Sequence, residues 1–282
     1  MKLINSILGY ITYKIFYPFQ KNKMNVLSLY FHDPKPESFE DVILWCKKKG
    51  YDFVHIDEIT NYVKGETYRH KKMVHFSFDD GWLTNKALIP IIEKYNVPIT
   101  IFVPVEPLES GNFWWNYVYA KYKSYDKVEE FKTYEDEKFN REVIYIKQEI
   151  KLEREAVTFD ELKEMSKHPL INIQSHTYNH PILTNVNDKQ LDFELSESKK
   201  FLSTLLNKDI DTFSYPNGSF GKREENAVRV LQMRLHHRGE ICGAWQQSVQ
   251  DTKNLPCRQL LVKLEPHCRC LESAKKNNTI GV

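Results

Sequence analysis

The stretch MVHFSFDDG, residues 73–81, reads as a buried strand that stops at two carboxylates and a glycine. Its apolar run has the length of a strand rather than a helix, and the polar ending marks the edge of the sheet. Downstream, NKALIPIIEKYN (85–96) carries Leu88, Ile91 and Ile92 at helical spacing, and ITIFVP (99–104) is the next buried strand. Upstream, VLSLYF (26–31) is a strand and PESFEDVILWCKKKG (36–50) a helix with lysines in its last turn and Gly50 at its end. YDFVHI (51–56) fits a further strand. Strands alternating with helices predict an α/β fold with a parallel sheet and helices outside it.

That rhythm breaks over 121–156, where both signs of charge are dense and Gly and Pro are absent, so an inserted helical excursion with a solvated face is expected. It resumes at Thr158-Phe-Asp-Glu161, which has capping-box spacing. LINIQS (170–175) and DTFSYP (211–216) read as strands. Between them LDFELSESKKFLSTLL (191–206) places Leu191, Leu195, Leu202 and Leu205 on one helical face. RVLQMRLHHRGEICGAWQQSVQDTKNLPCRQLLVKLEP (229–266) suggests one helix and one or two short strands, and the tail beyond Cys270 is expected to be disordered. The expected organisation is a leading segment (1–25), one domain (26–265) and a tail (266–282).

At 282 residues the chain is long enough for one large domain. A net charge of +2 without a basic stripe argues against nucleic acid as a partner. The five cysteines lack paired CxxC spacing, so reduced thiols are expected rather than a disulfide framework or a structural zinc. Lys14 interrupts the apolar residues 1–19, which are too short and broken to span a bilayer. A leading helix and a membrane-surface segment both fit them, and the expected location is cytoplasmic, with peripheral membrane association as the alternative.

Three clusters follow strands, where sheets of this kind place their sites. In Phe78-Asp79-Asp80-Gly81, adjacent carboxylates point in different directions because side chains alternate along a strand. A turn with a helix N-cap explains the same residues. In Ser175-His176-Thr177-Tyr178-Asn179-His180-Pro181, two histidines four apart can reach one metal from a tight loop, since Pro181 discourages a full helix. One carboxylate with two imidazoles is a three-ligand set that leaves positions open for water and substrate. Phe213-Ser214-Tyr215-Pro216-Asn217-Gly218, taken alone, is a strand entering a turn.

Taken in order, FSFDDG, SHTYNH and FSYPNG resemble the polysaccharide deacetylases of the NodB-homology type, carbohydrate esterase family 4, over roughly residues 26–265. The resemblance implies an irregular (β/α) barrel of about seven parallel strands. It also implies Asp79 as general base and Asp80, His176 and His180 as ligands of a divalent metal, usually zinc. The substrate it implies is an N-acetylated glycan, with Tyr215, Pro216 and the backbone N–H of Asn217 near the developing oxyanion. The chain departs from the family where many members carry an Arg, since Ser214 stands there, and the late Trp and Leu-x-His motifs are not recognisable. LSLYFHD (27–33) resembles a strand that some members place first by circular permutation. His32 is therefore the candidate general acid, with His237 and His267 as rivals and a structural His32 as an equal alternative. Arg258 is the candidate replacement for the absent Arg. The segment NFWWN (112–116) resembles a Trp-rich stretch of surface-glycan deacetylases. Trp114 and Trp115 suit stacking on sugar or burial in the core equally well. The alternative reading of the whole is an inactive barrel that binds carbohydrate.

Overall fold

The computed structural model describes residues 26–63 and 72–235. Expectations placed on residues 1–25, His237, Arg258, His267 and the tail lie outside the described residues. Among the described residues seven strands form one sheet: β1 (Val26–Phe31), β2 (Asp52–Phe53), β3 (Met73–Asp79), β4 (Ile99–Val103), β5 (Ile171–Ser175), β6 (Thr212–Phe213) and β7 (Arg234–Leu235). All pairings are parallel and the order is β1-β3-β4-β5-β6-β7, with β2 joined to the start of β3. Among the described residues β7 does not pair with β1, so the curved sheet is open there.

The sheet is parallel because helices return each strand to the same end. Between β1 and β3 run α1 (Pro36–Lys48) and α2 (Ile56–Val63). Phe39 of α1 sets its ring against Phe76 and Phe78 of β3, each at 5.3 Å, and all seven residues of β3 are buried. The strand expected over 51–56 shrinks to two residues, because Ile56 already opens α2. The helix expected over 85–96 is split into a 3-10 turn (Leu83–Leu88) and α3 (Ile89–Tyr95). Pro90 explains this, since it has no N–H to continue the ladder and suits the first turn of a new helix.

The excursion is larger than expected and starts earlier. It comprises α4 (Glu106–Ser110), α5 (Trp114–Tyr122), α6 (Tyr125–Phe131) and α7 (Asp136–Glu149). Of these, α5, α6 and α7 build a core of their own from Trp114, Tyr117, Val118, Phe131, Phe139, Val143 and Ile146, which a charge-dense sequence conceals, while Leu108 of α4 joins the main core. The capping box forms as read: Thr158 Oγ1 accepts from Glu161 N, and Glu161 accepts from Thr158 N, opening α8 (Phe159–Ser166). Asn187 caps α9 (Asp188–Leu206), and α10 (Lys222–Val230) precedes β7. No helix among the described residues is long and apolar enough to cross a membrane.

Candidate metal centre

Parallel register carries the chemistry to one edge. Phe31 pairs with Phe78, Asp79 with Phe102, Val103 with Ser175, and Ser175 with Phe213. The residues one step beyond these strands, His32, Asp80, His176 and Ser214, therefore share the C-terminal rim of the sheet. What separates Asp79 from Asp80 is not alternation along a strand, as the sequence suggested. Asp80 has left the strand with φ +75° and Gly81 follows at φ +70°. A Cβ on Gly81 would lie 3.1 Å from Val103 Cγ1, so both the backbone angle and the close approach require glycine.

The left-handed turn aims Asp80 at the two histidines. Asp80 Oδ1 lies 3.3 Å from His180 Nε2 and 3.7 Å from His176 Nε2, and the two Nε2 atoms are 3.2 Å apart. One ligating atom from each of the three residues falls within 4.8 Å of the others, and all three residues are buried. His176 Nδ1 sits 2.8 Å from the Ser214 carbonyl, which requires the hydrogen on Nδ1 and leaves the Nε2 lone pair facing its neighbours. Asp80 Oδ2 accepts from Trp82 Nε1 at 3.1 Å. Oδ1 of Asp79, Oδ1 of Asp80 and Nδ1 of His180 are buried without a hydrogen-bond partner. Converging lone pairs at this spacing are costly unless a cation lies among them, so the donor set fits a divalent metal.

The electrostatics agree with that fit. Burial pushes the Asp80 carboxyl up, but the contact with His180 and the attraction of the surrounding imidazoles to its charged form outweigh it and hold the group well below the usual carboxylate range. Burial pulls His176 down to about 4, so the imidazole is neutral, the form that binds metals.

The loop carrying His180 is held in an unusual shape. Thr177 and His180 have φ of +73° and +60°, and His180 N donates to Thr177 Oγ1 at 3.0 Å. Beneath it lies Glu194 of α9, fully buried. Its Oε2 accepts from the backbone N–H groups of Tyr178 and Asn179, and its Oε1 from Asn179 Nδ2 and Gln190 Nε2, all within 2.8–2.9 Å. Burial raises the carboxyl and these bonds oppose the rise, leaving it above the ordinary value. Glu194 escaped the sequence reading, although a signal existed: an acid three residues after Leu191 and one before Leu195 sits on the apolar face of the helix.

The family model for polysaccharide deacetylases matches residues 66–236, more than half of the chain. The chain belongs to the polysaccharide deacetylase family. It is 24% identical over 196 residues to YxkH of Bacillus subtilis strain 168, named as a candidate polysaccharide deacetylase, covering 69% of this chain and 54% of YxkH. It thus spans about half the length of that curated relative. The fold is shared with the deacetylase PplD of Streptococcus pyogenes, solved with acetate (TM-score 0.54, 20% identity, 74% of this chain and 80% of PplD). IcaB from Ammonifex degensii matches similarly (TM-score 0.54, 17% identity, 75% and 82%).

Within this family member the remaining candidates are distributed unevenly. His32 is half-buried, close enough to lower the Asp80 carboxyl, and its carbonyl accepts from Asn85 Nδ2 at 3.0 Å. Trp114 is corrected: it is 3% exposed, donates Nε1 to the His180 carbonyl at 3.0 Å and packs on Phe139, so its ring faces are used by the core. Trp115 is partly exposed, stacks on Phe113 and meets the His180 ring edge-on at 4.8 Å. Tyr215 and Pro216 are buried at the base of their turn, and Asn217 is exposed with φ +57°. Ser214 contributes its carbonyl, not its side chain, by orienting His176.

Proposed function

We propose that this chain hydrolyses the acetamide of an N-acetylated sugar in a polysaccharide or lipid-linked glycan, with zinc held by Asp80, His176 and His180. The convergence of those three donors beside Asp79 on one rim carries the reading. A bound divalent cation supplies positive charge that polarises the carbonyl and acidifies a water.

The protein's own groups do the proton work. Asp79, whose Oδ1 is buried and unbonded, takes a proton from the attacking water as its oxygen bonds to the carbonyl carbon. His32, level with Asp79 through the β1–β3 register, gives a proton to the nitrogen as the C–N bond breaks. Acetate and the free amine leave. Trp115 and the turn at Tyr215, Pro216 and Asn217 form the walls in this reading, with the Asn217 N–H offered to the oxyanion.

The test is acetate release from N-acetylglucosamine oligomers. Chelation should stop it and zinc restore it, and Asp79→Asn should slow it by about 10²–10⁴ while metal content stays unchanged. Zinc uptake without acetate from any oligomer turns the reading toward a carbohydrate-binding barrel. Unchanged metal content in Asp80→Ala refutes the ligand assignment.

A further inference from the structure

The two oxygens of the Asp80 carboxylate have different partners. Two successive left-handed residues, Asp80 and Gly81, bring the chain round so that Trp82 faces back to Asp80, and Trp82 Nε1 donates to Asp80 Oδ2 at 3.1 Å. The other oxygen, Oδ1, is the one turned to the histidines, 3.3 Å from His180 Nε2 and 3.7 Å from His176 Nε2.

Trp82 is itself held from two directions. Its backbone forms an antiparallel bridge with Ala156, where the chain leaves the helical excursion. On either side of that bridge Val157 N donates to the Gly81 carbonyl at 3.1 Å, and Leu83 N to the Glu155 carbonyl at 2.7 Å. The Trp82 ring centre lies 4.4 Å from that of Phe113, which is fully buried and stacks on Trp115 at 4.8 Å. Trp115 meets the His180 ring at 4.8 Å. An unbroken run of rings therefore links the turn of Asp80 to the loop of His180.

The choice of an indole has a chemical consequence. Its N–H only donates, so it cannot compete for a cation, and being neutral it leaves the charge of the carboxylate uncancelled. An Arg or Lys in its place would hold Oδ2 as well but would offset the negative charge that attracts a metal.

We propose that Trp82 is a positioning residue of the metal centre, whose N–H occupies Oδ2 and restricts Asp80 to a single ligating oxygen, Oδ1. The inference rests on the metal reading above and deepens it: a carboxylate that fills one coordination position leaves another open for water or substrate.

Two variants test it. Trp82→Phe keeps a ring beside Phe113 and removes the N–H. Installing 3-benzothienylalanine at position 82 replaces that N–H with sulfur and keeps both rings, so the fold is spared. In competitive titration wild type should bind zinc about tenfold or more tightly than either variant. With cobalt(II) in place of zinc, the visible bands should be stronger in wild type. A freed Oδ2 can join the metal in the variants, and these bands weaken as the coordination number rises. Equal zinc affinity, or cobalt bands as strong in the variants as in wild type, overturns the role of Trp82 while the metal site stands. No zinc uptake by wild type overturns both.

Discussion

At the scale of single residues, burial does the work that charge density does not. His75, in the middle of β3, is 1% exposed and sits 3.1 Å from the Val54 carbonyl through Nδ1. Burial draws its pKa down to about 4, only partly opposed by that hydrogen bond. The unfolded chain therefore takes up a proton near pH 6.5 that the folded chain refuses until about pH 4. Stability is fully present above pH 6.5 and falls as the pH drops towards 4, by up to about 3 kcal/mol from this residue. Urea unfolding of wild type and His75→Gln at pH 7.5 and 4.5 checks this, because the variant cannot titrate and its loss should be smaller. Equal losses would show that His75 carries no such penalty. Single residues also mark what sequence reading reaches. Asp80, His176 and His180 were legible as a group because all three are of ligating type and follow strands, and the fold brings their side chains together. Trp114 was not, since the same indole suits a sugar platform and a core, and only its burial decides.

At the scale of elements, strands deliver residues to the rim but turns and loops aim them. The alternation argument for Asp79 and Asp80 failed because β3 ends at Asp79 and a left-handed step redirects the next side chain. The loop at 177–180 is held in turn by Glu194 from α9. Each of its oxygens accepts two N–H groups, so Glu194→Gln must turn an amide NH₂ towards two donors whichever way it lies. The expected cost is about 2–4 kcal/mol of stability. Zinc affinity should fall by about tenfold or more, read from melting of metal-free protein and from competitive zinc titration. An unchanged zinc affinity would reduce Glu194 to a structural role. Helices with clear caps and stripes, such as α8 and α9, were readable from local chemistry. The early start of the excursion was not, because α5 buries its aromatics against α6 and α7 rather than against the sheet.

At the scale of the whole molecule, one arginine joins segments far apart in the chain. Arg234 of β7 donates Nη1 to Asp57 of α2 and Nη2 to Asp211, each at 2.5 Å. It ties the last described strand to the α2 helix that follows β2, a strand paired with the start of β3. Asp57 is more than half exposed, so Arg234→Ala should cost only about 1–2 kcal/mol in urea unfolding, with part of the loss mimicked by high salt. Arg234→Lys should not restore it, because an ammonium cannot span two carboxylates as a guanidinium fork does. Full recovery by lysine would mean that charge alone is at stake. By itself the sequence determined the α/β class, the order of strands and helices and the residue types of the candidate donor set, because hydrophobic period, caps and donor spacing are local properties of the chain. Only the tertiary structure decided which carboxylate turns to the histidines, which Trp is spent on the core, and that Glu194 and Arg234 hold distant segments in place. Those outcomes depend on backbone angles and on partners far away in the chain, and pairwise proximity of that kind leaves no mark in local pattern.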